Sequence, residues 1–231
     1  MRKGICLLLT AVMTVAMAMS AFAGTITASG TGEVLIPADT AIISLGVTAV
    51  NKDVVKAQAE VNEAIAKIRA ALTEAGIKEA DINTGYLNIY GMYDYSSDRE
   101  ELAAYNVNST LAIRTTDMET VGTIIDTAFG EGANTLDGIS FFASDTKEAE
   151  AKALQEAVKD AQAKADILAA ASDQKITGIV SISEGGTYSY DRGVMNNFGV
   201  AEEKAMDAAS TYVQAAKLTV TANITVTYLT E

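Results

Sequence analysis

From Thr146 to Ala171 the sequence sets Leu154, Val158, Ala161, Ala165 and Leu168 four, three, four and three residues apart. That spacing puts them on one stripe of an α-helix. A long helix with a single apolar stripe needs a sheet to cover, and strands stand on both sides of it. Lys217 to Tyr228 alternates Leu218, Val220, Ala222, Ile224, Val226 and Tyr228 against polar residues without a fault, which is the period of a half-buried strand.

The rest of the chain follows the same two periods. Gly24–Leu35 and Ala41–Val50 read as strands, with Pro37, the only proline, at the turn of an expected hairpin. Asn51 or Asp53 caps a helix carrying Val61, Ile65, Ile68, Leu72 and Ala75, which Gly76 ends. Ile82–Tyr95 and Tyr105–Thr115 form a long hairpin. Thr116 and Glu119 make a capping box for a helix over Asp117–Phe129. Thr135–Ala143 is a strand, Asp145 with Glu148 caps the long helix, and Lys175–Ser183 is a further strand. Between Glu184 and Tyr212 no period is sustained, so this stretch (184–212) is expected to be a long loop that binds a partner or another subunit. The expected class is α+β: an antiparallel or mixed sheet with about three helices packed on it, the two longest side by side on one face.

Composition removes whole classes of chemistry. Arg2 and Lys3, an apolar run from Ile5 to Met19 and the small-x-small pattern Ala21-Phe22-Ala23 read as a signal peptide over residues 1–23. The expected mature chain is one α+β domain, 24–231, exported to the periplasm, the cell envelope or the medium, with no transmembrane helix. Cys6 would leave with the leader. What remains has no cysteine, histidine or tryptophan, which excludes disulfides, thiol nucleophiles and imidazole acid–base chemistry and leaves no usual zinc site. The mature chain has 15 basic residues against 30 acidic ones, a surface that repels phosphate backbones, so no nucleic-acid partner is expected.

Several short motifs fall at structural positions: Gly30-Thr31-Gly32 before Pro37-Ala38-Asp39, Gly76-Ile77 before Asp81-Ile82-Asn83-Thr84, Tyr105-Asn106-Val107 opening a strand, Gly132-Ala133-Asn134, and Gly138-Ile139-Ser140-Phe141 leading into Ser144-Asp145. With the alanine-rich helix over Ala157–Ala170, this order resembles the SIMPL-domain family of bacterial exported proteins over about residues 25–229. That family includes periplasmic immunogenic proteins and proteins described as oxidative-stress defence factors. The chain departs from the family pattern at Pro37-Ala38-Asp39, where a proline–aspartate pair is usual, and at Gln214-Ala215-Ala216, where a glycine precedes the last strand. The resemblance implies an α+β protein of unassigned activity that often assembles into rings or larger oligomers. It carries over no catalytic residue.

Four constellations bear on function. Ser144-Asp145-Thr146-Lys147 fits S-x-x-K, a serine activated by a lysine one turn on, but its companion motifs are missing and helix-cap chemistry accounts for it. Gly30-Thr31-Gly32 lacks the third glycine and the helix start of a phosphate cradle. Asp94, Asp98, Glu100 and Glu101 gather carboxylates at a hairpin tip without calcium-loop spacing. Tyr86, Tyr90, Tyr93, Tyr95, Tyr188 and Tyr190 cluster where strands meet loops, as interface tyrosines do. Two glycosylation sequons, at Asn108 and Asn223, fall inside strands. The expected function is thus an exported, non-enzymatic envelope-associated or secreted protein that self-assembles into an oligomer and is linked to stress defence, with an envelope protein as a further partner. No catalytic, cofactor or metal residue is assigned. A serine hydrolase using Ser144 and Lys147, or a calcium or ligand module at the acidic tip, are the alternatives.

Overall fold

A computed structural model describes residues 24–94, 101–190, 211–215 and 217–231. In chain order these form β1 (Gly24–Pro37), β2 (Thr40–Asn51), α1 (Val54–Glu74), β3 (Ile82–Asp94), β4 (Glu101–Thr115), α2 (Val121–Gly130), β5 (Thr135–Phe142), α3 (Lys147–Ala171), β6 (Ile176–Tyr190) and β7 (Lys217–Thr230). The α+β class and the number of helices are as the sequence predicts, but the two longest, α1 and α3, do not share one sheet face as expected: each covers its own sheet. The strands, however, make two sheets rather than one, in the orders β1-β7-β6 and β3-β4-β2-β5. Each sheet belongs to its own compact unit. One unit takes the chain up to Leu35, Thr146–Tyr190 and Thr219–Glu231, and the other takes Ile36–Asp145 with the stretch that ends at Leu218.

In the three-stranded unit, β7 lies in the middle and α3 covers one face. Side-chain bonds between β1 and β7 join Thr27 to Thr227 (3.1 Å), Ser29 to Thr225 (3.2 Å) and Thr31 to Asn223 (3.0 Å). One number rises by two as the other falls by two, which is an antiparallel register. The expected stripe on α3 is corrected here. Its buried residues are Ala149, Ala153, Ala157, Ala161, Ala165 and Ala169, each four apart, whereas Val158 and Leu168 are 41% and 48% exposed. The reason lies on β1. A β-carbon on Gly30 would stand 2.0 Å from the Ala157 carbonyl oxygen, and one on Gly32 would stand 2.0 Å from that of Ala153. The helix therefore sits at backbone distance from the strand, where only a methyl side chain fits.

The four-stranded unit has the larger core. Ile43, Leu45 and Val47 of β2 alternate inward beside Leu111 and Ile113 of β4, and Val61, Ile68 and Leu72 of α1 close over them, all buried. Asp53 caps α1, accepting the Val55 amide at 2.9 Å. At α2 the cap is Asp117, which accepts from the Glu119 amide at 3.0 Å and leads through a 3-10 turn over Met118–Thr120; it replaces the expected Thr116 box. The hairpin expected between the first two strands is also absent. β2 is a central strand held by β4 and β5 on its two sides, so it has no free edge for β1, and the chain leaves one unit for the other between Leu35 and Ile36, just before Pro37.

Candidate functional site

Ser144 is the first residue to place. Its hydroxyl donates to Asp39 Oδ2 at 2.6 Å, and its amide bonds both carboxylate oxygens at 2.9 and 3.1 Å. The Ser144 hydroxyl, followed by that of Thr40, holds the Asp39 carboxyl below the usual carboxylate range against a smaller opposing cost of desolvation. These three bonds make the pair a clasp between two stretches 105 residues apart. The chain changes units after Leu35 and again after Asp145, and Asp39 and Ser144 tie those two crossing points together.

The other motifs resolve in the same structural sense. Gly30 and Gly32 face the flank of α3 and form no phosphate cradle. Asp94 stands directly opposite Glu101 in the β3–β4 register, beside a shallow depression of about 360 Å³ lined also by Lys52, Leu102 and Ala103. Asp98 and Glu100 lie outside the described residues. Among the described residues no group of three or more metal-ligating side chains converges. Both sequons lie within strands, Asn108 in β4 and Asn223 in β7.

The stretch expected to be a loop begins instead as strand. β6 runs to Tyr190, with Tyr188 opposite Thr221 and Tyr190 opposite Thr219, and the part from 191 to 210 lies outside the described residues. Its far end is anchored. The Thr211 amide and hydroxyl bond the Asp126 carboxylate on α2 at 3.0 and 2.5 Å, and these two bonds keep the Asp126 carboxyl below its ordinary range. Gly122, one turn earlier, leaves room for the Thr211 carbonyl oxygen, which a β-carbon there would meet at 1.9 Å. Neither Asp126 nor Gly122 stands out in the sequence, because each is an ordinary helix residue until the strap it receives is known.

Among the described residues two edge strands are the most exposed apolar features. β6 pairs there with β7 alone, carries one charged residue, Glu184, in its 15, and exposes Ile179, Val180 and Ile182 by 57%, 57% and 56%. β3 is the corresponding edge of the other sheet, and Tyr86, Leu87, Ile89, Tyr90, Met92 and Tyr93 are all exposed along it. Tyr95 lies outside the described residues.

Comparison with known proteins places these features in a family. The family model for SIMPL, a protein of unknown function (DUF541), matches residues 26–228. The chain belongs to the SIMPL family. Among its relatives is the 26 kDa periplasmic immunogenic protein of Brucella melitensis, 31% identical over 164 residues, or 69% of this chain and 66% of that protein. The same-named protein of Brucella abortus is 30% identical over the same share, so the chain spans about two thirds of these relatives' length. The uncharacterized protein YggE of Escherichia coli is 25% identical over 191 residues, 83% of this chain and 77% of its own. The SIMPL match spans both units. Among the described residues no helix is long and apolar enough to cross a membrane.

Proposed function

We propose that this SIMPL protein is an exported, non-enzymatic component of the bacterial envelope that assembles with copies of itself through the open edge of β6. The observation that carries this reading is the state of that strand. Among the described residues it pairs with β7 alone, it has one charge in 15 residues, and Ile179, Val180 and Ile182 are each more than half exposed. Natural edge strands are normally blunted by charge or by cover, and an unblunted one is a template for another strand. Export is supported by the leader-like residues 1–23 and by the name of the Brucella relatives, which are periplasmic proteins.

The test is molar mass by light scattering at two concentrations, for the native protein and for Val180→Lys/Ile182→Lys. A closed oligomer of fixed mass that the double variant reduces, with its circular dichroism unchanged, is expected. A monomer at both concentrations would sink the reading. Amino-terminal sequencing of the exported protein should begin at Gly24; an intact Met1 would refute the proposed leader.

A further inference from the structure

The helices cover one face of the four-stranded sheet, and the register fixes what the opposite face presents. Tyr86 pairs with Thr110, Asn88 with Asn108 and Tyr90 with Asn106, while Thr48 of β2 lies across from Asn108 and Val50 from Asn106. Directly paired residues share a face. These side chains are therefore on the face away from Val107, Ser109 and Leu111, which point to the core. The result is a flat strip with two tyrosines, 48% and 49% exposed, on either side of Asn88, with Asn106 and Asn108 in the next row. Four residues along a strand separate the two rings by about 13 Å.

Charge is missing from this strip. No residue in 44–50, 86–92 or 104–112 is charged, in a chain whose net charge is -13. The strip also carries hydrogen-bonding side chains. Asn88 is exposed and Asn106 half-buried, whereas Asn108 is turned into the sheet, donating through Nδ2 to Thr48 Oγ1 at 2.7 Å with its Oδ1 out of reach of solvent. Each asparagine side chain offers both a donor and an acceptor, and each tyrosine ring offers a flat apolar surface with a polar tip. A ligand matching this set is uncharged, has a flat C–H face, and carries hydroxyl or acetamido groups that both give and accept hydrogen bonds.

We propose that the Tyr86–Asn88–Tyr90 face binds an uncharged oligosaccharide, its sugar rings lying on the tyrosines and its hydroxyl or acetamido groups meeting the amides of Asn88 and Asn106. The separation of the rings exceeds one sugar, so the ligand is a chain rather than a monosaccharide. The site is independent of β6 assembly and adds a second activity to it: attachment to envelope glycan.

Co-sedimentation of the purified protein with chitin, an uncharged polymer of N-acetylglucosamine, tests this, with cellulose and peptidoglycan sacculi as further arms. Chitin and sacculi share the acetamido sugar, and cellulose offers hydroxyls alone. The native protein should pellet with at least one of them. Tyr86→Ala/Tyr90→Ala should weaken binding roughly tenfold, two ring contacts at ordinary aromatic strength, with denaturation midpoint and molar mass unchanged; Tyr90→Phe should keep most of the binding. Failure to pellet with any of the three overturns the proposal. So does retention by the double variant equal to that of the native protein. Loss of oligomer mass in the double variant, with no glycan bound by the native protein, would assign the face to a second copy and overturn it too.

Discussion

Replacing Gly32 with alanine would place a β-carbon 2.0 Å from the Ala153 carbonyl oxygen, backbone that cannot swing aside. Overpacking of this kind costs about 1–3 kcal/mol or more, so the urea midpoint of Gly32→Ala should fall clearly; an unchanged midpoint would mean that α3 sits farther from β1 than described. Asp39 makes a second prediction at this scale. Its carboxyl is held below the ordinary value in the folded chain, so it contributes stability that is fully present above the unfolded value of about 3.9 and is lost as pH falls through the folded one. Asp39→Asn should therefore be less stable than the native protein at neutral pH, and the gap should narrow as pH falls below the unfolded value of about 3.9. Midpoints measured across that range check it, and a gap constant with pH would assign the loss to something other than the charged clasp. Pro37-Ala38-Asp39 was visible in the sequence as a turn. That its aspartate reaches Ser144, 105 residues away, was not, because a side-chain bond to a distant amide leaves no periodic trace.

At the scale of elements, α3 shows what periodicity conveys and what it omits. The four-three spacing of Leu154, Val158, Ala161, Ala165 and Leu168 correctly predicts a helix over this stretch. It chooses the wrong seam, since hydrophobic size normally marks the buried side, and here the contact is so close that size excludes. The row of alanines four apart is also in the sequence, but it is meaningful only once the glycines of β1 are known to be opposite it. Ala157→Leu should thus destabilise by about 1–3 kcal/mol, while Ile167→Lys, at a site 69% exposed, should stay within about 0.5 kcal/mol. Denaturant midpoints of the two variants decide the matter, and equal losses would refute the alanine seam. The final strand had the opposite fate. β7 was legible from alternation alone, and every inward residue from Leu218 to Tyr228 is buried. The second sheet was not legible, because alternation shows which residues share a face and says nothing about which strands are neighbours.

Across the whole molecule, net charge and bare edges act against each other. A chain with 30 acidic and 17 basic residues repels its own copies at long range, while strand edges with almost no charge attract at contact. Salt screens the first far more than the second, the screening length shrinking from about 30 Å at 0.01 M to about 10 Å at 0.1 M. Assembly through β6 should therefore tighten as salt is raised over that range, the reverse of an association held by ion pairs. Light scattering in a salt series reads this directly, and dissociation by salt would count against the apolar edge.

The order in which strands become available during synthesis follows from one detail of topology. β7 is the middle strand of its sheet and follows both of its neighbours in the sequence. β1, made first, and β6 have no partner in that sheet until residues 217–230 arrive, whereas the four-stranded sheet has all its strands by Phe142. One sheet can thus form while the chain is still emerging, and the other must wait for β7. Such a wait suits a polypeptide that has to stay threadable while it passes a narrow channel: the element that locks β1 in place comes through long after it.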